Sequence, residues 1–305
     1  MKERQVSAMR NMLRKFLPAF IKRPITAHIQ AVVDAERLYF RSHPGENAYC
    51  VKPNVPGSEG LPVPPEELWV GYGSDAQSYV SGGKSNVADM VRILEGSGVA
   101  FGNTNRILEF GCAAGRMLRH LPEFAPKAEL WGVDISAQHI QWCIDNLTPA
   151  MHFATTTMIP HLPFEDRYFD LIFSGSVFTH IEDIQQSWLL ELGRVLRPSG
   201  RLFITIHDEH TVRLLDASTR DQWVAKFMEQ PVYAWFGKFI QEQPVYGANK
   251  DNFSMIVVGR AGASQVFYNS RYLKAILPPC LRWVSHTPEA YGYQSAVLLE
   301  KLRTD

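Results

Sequence analysis

The chain predicts an α/β fold: a mostly parallel sheet with helices on both faces. Three observations carry that reading. The first is a strand–turn–helix unit at residues 107–115, ILEFGCAAG. Ile107, Leu108 and Phe110 form a short apolar run of the kind buried in a parallel sheet. Gly111 and Gly115 let the backbone turn sharply, and Ala113 and Ala114 keep the turn narrow. The second is a further strand at 130–135, LWGVDI, ending near Asp134, nineteen residues after Gly115. The third is that strand-like and helix-like runs go on alternating, as β–α–β units require. The stripe Ile184, Trp188, Leu189, Leu192, Val195 and Leu196 marks the clearest helix, over 183–196.

Composition sets outer limits. A length of 305 residues allows one large domain with extensions. Apolar residues make up 46%, enough for a substantial core. Lys plus Arg and Asp plus Glu balance at 31 each, which argues against a nucleic-acid binder. Cys50, Cys112, Cys143 and Cys280 are scattered without a CxxC pair. They read as reduced cysteines and not as a disulfide scaffold or zinc site. No run approaches 18 apolar residues and no signal peptide of normal form is present, so a cytoplasmic protein is expected.

Residues 1–83 read as an extension, helical and then loop-rich. The segment from Met1 to Arg23 is basic, with Met9, Leu13, Phe16, Leu17 and Phe20 placed to line one side of a helix. It suits a peripheral contact with an anionic membrane or a protein partner, or a helix packed on the domain with its charges solvated. Pro44, Pro53, Pro56, Pro62, Pro64 and Pro65 make 42–67 a loop. Residues 69–83 are rich in aromatics and glycine, and 85–96 reads as a helix.

The core, 84–305, follows. Strands are expected at 106–110, 130–135, 152–155, 169–174 and 202–206. The first helix is expected over 116–123, and a second over 137–147 with Ser136 as N-cap. Pro198–Gly200 should be a turn. An insertion at about 211–250 carries Trp223, Tyr233 and Trp235, and reads as a substrate lid or as a helical elaboration with an aromatic core. Strands at 253–258 and 265–267 form a hairpin signal, a helix follows at 270–276, and strands at 281–285 and 296–300 close the chain.

A ligand at the 107–115 turn would lie at the carboxyl ends of the strands, the usual site in an open α/β sheet. Asp134 stands near the spacing at which an acidic side chain reaches ribose hydroxyls. The turn reads Glu109, Gly111, Ala113, Gly115, with Cys112 inside it, and so lacks the G-x-G-x-x-G of dinucleotide sites. An acidic residue there repels phosphate and suits a ligand carrying an ammonium group. A dinucleotide-dependent oxidoreductase is the less favoured alternative, and a non-catalytic binding protein of the same fold is another.

The E-x-G-x-A-x-G series resembles the first motif of class I S-adenosylmethionine-dependent methyltransferases, usually E/D-x-G-x-G-x-G, with Ala113 in place of the middle glycine. PFEDRYFDLIFSGSVFTH at 163–180 is similar to that family's fourth-strand region, and ELGRVLRPSG at 191–200 to its turn before the fifth strand. The resemblance implies a Rossmann-like, seven-stranded sheet whose last strand is antiparallel, with S-adenosylmethionine as cofactor. It places Ile135 against adenine, Thr156 near the adenine amino group, and Ser174 at the crevice. Tyr72 and Tyr79 become candidates to cover the cofactor. It also implies a small-molecule or sugar acceptor, methylated at oxygen.

Methyl transfer needs alignment and, for a hydroxyl or amine, a proton acceptor. His180 and His207 are the candidate bases, with Asp208 able to orient an imidazole. Glu209 and His210 are candidates for substrate contact. His207 and His210 are three apart, a spacing that converges on a helix and not on one face of a strand, and no metal is expected.

Overall fold

The computed structural model describes residues 55–56, 60–215, 248–258 and 264–303. The segment from Met1 to Arg23, most of the 211–250 insertion, and with it Trp223, Tyr233 and Trp235, lie outside the described residues. A two-stranded ladder pairs β1 (Val55–Pro56) with β2 (Pro62–Val63). The main sheet contains β3 (Arg106–Phe110), β4 (Glu129–Asp134), β5 (His152–Thr155), β6 (Phe169–Ser174), β7 (Leu196–Ile206), β10 (Leu281–Tyr291) and β11 (Gln294–Lys301). A small hairpin pairs β8 (Met255–Val258) with β9 (Gln265–Tyr268). The helices are α1 (Ala76–Gly96), α2 (Ala137–Leu147), α3 (Gln185–Val195), α4 (Glu209–Leu215) and α5 (Ser270–Ala275).

The strand order is β10-β11-β7-β6-β3-β4-β5. Strands β5, β4, β3, β6 and β7 run parallel, and β11 enters antiparallel between β7 and β10. The expected seven-stranded, mostly parallel sheet with an antiparallel last strand is what the chain forms. Strand order reverses at β3: β4 lies on one side and the later β6 on the other. That switch point opens a crevice at the strands' carboxyl ends.

β6 is buried at all six positions, as a central strand covered on both faces must be. One face of the sheet carries Leu108, Phe110, Ile172, Leu202, Ile204, Val297 and Leu299 against Trp188, Leu189 and Leu192 of α3. Each such side chain removed from water contributes about 1.5–3 kcal/mol. Phe110 and Trp188 meet with ring centroids 4.7 Å apart, which pins α3 beneath the β3 turn.

Besides the β1–β2 ladder inside the expected 42–67 loop and β10, which runs past the expected 281–285 to Tyr291, three elements differ from the sequence expectation. α1 starts at Ala76, nine residues before the expected helix, with Asp75 and Ser78 closing a reciprocal capping box. Gly82 and Gly83 look like breakers in the sequence, yet Gly83 is where α1 passes over the site loop: a Cβ there would lie 2.3 Å from the Arg116 carbonyl oxygen. The helix expected over 116–123 is a short 3-10 run, Leu118–Glu123, with Pro122 inside it, which has no N–H to donate. The expected turn at 198–200 is part of a long β7, whose pairing with β6 is irregular between Phe169 and Leu171. Ser199 takes φ 63° there.

Candidate functional site

The loop after β3 is tied down from beneath. Gly111 N and Cys112 N both donate to Val133 O, at 2.8 and 3.0 Å. Ala113 N donates to Asp134 Oδ2 at 2.8 Å, and Ser136 N to Asp134 Oδ1 at 2.8 Å. Glu109 Oε2 accepts from Leu118 N at 2.9 Å. The two acids therefore brace the loop at both ends. Glu109 is buried, and burial pushes its carboxyl up to about 8 although Arg116 pulls the other way.

Gly111, Ala113 and Gly115 all have positive φ, at 80°, 44° and 71°. Gly111 needs its missing side chain twice over, because a Cβ would stand 2.1 Å from Val177 Cγ2. Ala113 holds the left-handed region with a side chain, at a cost of about 1–2 kcal/mol. The Cys112 thiol is buried, and its sulfur lies 2.8 Å from where a Gly132 Cβ would be. Its side chain thus packs on β4.

Around the crevice, Ile135 leaves an apolar side chain 59% exposed just past the tip of β4. Thr156 donates its N–H to Asp134 O, while its buried Oγ1 has no partner. Ser174, fully buried at the end of β6, likewise has an unpartnered Oγ. Two orphaned hydroxyls at the carboxyl ends of β5 and β6, with β3 and β4 between them, are the kind of groups a polar ligand satisfies.

The far wall involves residues that sequence reasoning left out or left in general terms. Ser176, at φ 59°, donates its N–H to Thr205 Oγ1 at 2.7 Å and accepts from Gln294 Nε2 at 2.8 Å. Thr205 Oγ1 in turn donates to Gln294 Oε1 at 2.7 Å. This circuit locks the ends of β6, β7 and β11 together. Tyr291 lies over Gly175, 3.1 Å from where its Cβ would be, and accepts from Arg116 Nη2 at 2.5 Å. Arg116 also donates to Asn86 Oδ1 at 2.8 Å and stacks 4.1 Å under Tyr72. The only sequence signal for Arg116 was its place next to Gly115.

Tyr72 and Tyr79, the candidates to cover the cofactor, lie in one cluster with Trp69. Trp69 stacks on Tyr79 at 5.4 Å and donates Nε1–H to Pro64 O. Tyr79 is buried, and Tyr72 is half-buried at the edge of the same cluster. His139, on the first turn of α2, meets Leu68 O through Nε2 at 3.2 Å.

The histidines divide sharply. His180 follows β6, and its Nδ1 contacts Ser264 O at 2.7 Å. A carbonyl there requires Nδ1–H, which leaves Nε2 with its lone pair. Desolvation lowers the His180 pKa, so the ring is neutral near pH 7. His207 is instead 1% exposed, between Phe267 and Tyr293 at 4.8 and 5.3 Å, and burial pushes its pKa down to about 3. A ring enclosed in this way has no path to an acceptor, which corrects the expectation that it serves as a base.

The expected Asp–His pair does form, but with another histidine: His286 Nε2 meets Asp208 Oδ2 at 2.7 Å. Asp208 Oδ1 accepts from His210 N and Thr211 N, so this buried carboxylate caps α4. Glu209 is held by the backbone N–H and hydroxyl of Ser270, and His210 Nε2 by Glu289 at 2.7 Å. These partners explain both residues without a substrate. A helix does begin at Glu209, yet His207 and His210 do not converge. Among the described residues no cluster of three or more His, Cys, Asp or Glu could hold a metal ion.

Comparisons with known proteins match this geometry. The family model described as a methyltransferase domain matches residues 108–204, which run from β3 to β7. A malonyl-[acyl-carrier protein] O-methyltransferase of Hahella chejuensis is 29% identical over 32% of this chain and 34% of its own length. A protein of the same name from Coxiella burnetii is 30% identical over 48% of this chain and 49% of its own. An uncharacterized methyltransferase of Schizosaccharomyces pombe is 31% identical over 32% of this chain and 38% of its own. The chain thus spans between a third and a half of these relatives. The crystal structure of the PH0226 protein of Pyrococcus horikoshii superposes with a TM-score of 0.50 at 16% identity, over 76% of this chain and 95% of that one, and shows the shared fold. The chain thus carries a match to a methyltransferase domain from β3 to β7, and its sheet has the strand order and antiparallel strand expected of the class I S-adenosylmethionine-dependent methyltransferase fold.

Proposed function

We propose that the protein transfers a methyl group from S-adenosylmethionine to a small-molecule acceptor at oxygen. The observation that carries this reading is the positive-φ loop 111–115, braced by Glu109 and Asp134 at the sheet's switch point. The residues present fit the cofactor: a narrow loop at positive φ over 111–115, an exposed apolar Ile135, and the orphaned hydroxyls of Thr156 and Ser174. When bound, the sulfonium supplies the electrophilic methyl group. Asp134 has lone pairs left for ribose hydroxyls, since each carboxylate oxygen accepts more than one bond. Ile135 offers adenine an apolar face, and Thr156 and Ser174 offer hydroxyls.

His180 receives the proton of a hydroxyl acceptor at Nε2, while Ser264 O holds the ring in the required tautomer. Ser176, fixed by Thr205 and Gln294, keeps the β6 end rigid while the acceptor is aligned. Transfer to oxygen is supported by the names of the Hahella and Coxiella relatives.

Calorimetric titration with S-adenosylhomocysteine and NAD tests the reading. Wild type should bind the first and not the second, and Gly111→Arg should lose binding while staying folded. A folded wild type that ignores S-adenosylhomocysteine, or that prefers NAD, refutes it.

A further inference from the structure

We infer that Ser264 is a positioning residue for His180, so that the proton acceptor is set by the β8–β9 hairpin, an element outside the methyltransferase domain matched at 108–204. The inference rests on the reading of His180 as the base, but the clamp itself is a matter of geometry.

Ser264 immediately precedes β9 and is fully buried. It grips one residue in two places. Its main-chain oxygen accepts from His180 Nδ1 at 2.7 Å, and its hydroxyl donates to the His180 main-chain oxygen at 3.1 Å. The first bond selects the Nδ1–H tautomer. The second fixes the backbone from which the ring hangs. Together they confine the ring to one rotamer: with the main chain held still, turning about the side-chain bonds breaks the first bond.

The turn that carries His180 needs this support. It is a short 3-10 turn, Phe178–His180, and the bond that closes it, Ile181 N to Phe178 O, is long at 3.4 Å. The hairpin adds a shorter tie beside it, with Tyr268 Oη donating to Ile181 O at 2.6 Å. The hairpin is fastened in turn to the sheet. Tyr268 N donates to His207 O at 2.8 Å, and Phe267 bridges His207 just past the end of β7. The place of His180 relative to the strand ends is thus handed on through the hairpin.

The groups that face the ring from the hairpin and from β7 are neutral. They are the Gln265 amide, 3.5 Å from Nδ1, and His207, whose pKa burial pushes down to about 3. Desolvation lowers the His180 pKa and outweighs the opposite pull of the Ser264 carbonyl. A loosened clamp admits water and should raise it.

Long-range proton–nitrogen NMR spectra of the full chain, isotopically labelled at histidine, report the tautomer and titration of each ring. His180 is assigned by the signal missing from His180→Gln. Wild type should show the Nδ1–H tautomer and a midpoint below the ordinary 6.5. Ser264→Ala keeps the carbonyl and loses the hydroxyl. It should raise the Nε2–H tautomer about threefold to tenfold, the weight of one hydrogen bond, and move the midpoint up toward 6.5. Ser264→Thr, which restores the hydroxyl, should return both. S-adenosylhomocysteine affinity should be the same in all three, because the clamp acts on the base and not on the glycine loop. An unchanged tautomer and midpoint in folded Ser264→Ala overturn the inference. So does a loss of S-adenosylhomocysteine affinity as large as the tautomer shift, which marks a general loosening. If Ser264→Ala does not fold, Ser264→Cys, a weaker donor of similar size, is read by the same criteria. If folded wild type binds no S-adenosylhomocysteine, the cofactor reading fails and the tautomer alone decides the clamp. A ring that shifts as expected, beside a His180→Ala protein with unimpaired turnover of a hydroxyl acceptor, upholds the clamp and removes only the base reading.

Discussion

Gly111→Ala offers the sharpest test of how the crevice is built. The new methyl group meets two penalties that arise from different physics. At φ 80° the backbone is left-handed, and a Cβ there costs about 1–2 kcal/mol. The methyl would also stand 2.1 Å from Val177 Cγ2, so Val177 or the loop must move. Overpacking of that kind costs about 1–3 kcal/mol. The stiffer unfolded chain returns about 0.4–1 kcal/mol. The net expectation is a loss of roughly 1–4.5 kcal/mol from these terms. Urea unfolding of the single variants, the double variant Gly111→Ala/Val177→Ala and wild type closes a cycle. Val177→Ala removes the obstructing methyl but not the φ penalty. The double variant should therefore be more stable than the sum of the singles by about 1 kcal/mol or more. S-adenosylhomocysteine affinity should fall in Gly111→Ala and partly return in the double variant, because the backbone returns to its place beside β6. Additivity within about 0.5 kcal/mol would show that Val177 and residue 111 do not share space, and the packing argument would fail.

Ala113→Gly should stabilise the protein by about 0.5–1 kcal/mol, the left-handed relief exceeding the entropy of the freer unfolded chain; a lower unfolding temperature would refute this. Glu109 has a folded pKa raised to about 8 from an ordinary 4.5, so its contribution is fully present below about pH 4.5 and is lost as pH rises through 8. Glu109→Gln, which keeps an acceptor for Leu118 N–H, should match wild type at pH 5 and exceed it at pH 8 in chemical denaturation, whereas parallel pH profiles would remove the buried-acid argument. His180→Ala should slow turnover of a hydroxyl acceptor by about 10²–10⁴-fold without changing S-adenosylhomocysteine affinity, and an unchanged rate would end the role given to Nε2.

The sheet was legible because its signals are local. Apolar runs such as 107–110 and 169–174 and the acidic residue at the tip of β4 announce strands and their ends without help from distant chain. The glycines of α1 misled for the opposite reason. Gly83 looks like a helix breaker in isolation, and its purpose is visible only where the Arg116 carbonyl presses against it. The histidines show the same limit. Spacing put His207 next to Asp208, but strand alternation and the β8–β9 hairpin decide which ring reaches the carboxylate, and that ring is His286. Arg116 escaped notice because a lone basic residue after a glycine turn carries no pattern; its meaning comes from Tyr291, 175 residues away.

The placement of β11 also bears on how the protein comes into being. Strand β7 has no neighbour on its outer side until β11 pairs with it, from Ser295↔Ile206 to Glu300↔Arg201. Gln294 and Tyr291, which fix the crevice wall and its rim, belong to the same late hairpin. During synthesis β3 to β7 are complete while the crevice is still open on that side. A chain interrupted before β11 would present an unpaired strand edge, a template for association with other chains. The site is thus assembled last, by residues translated nearly two hundred positions after the glycine loop, so a nascent or shortened chain would lack a finished crevice with which to act.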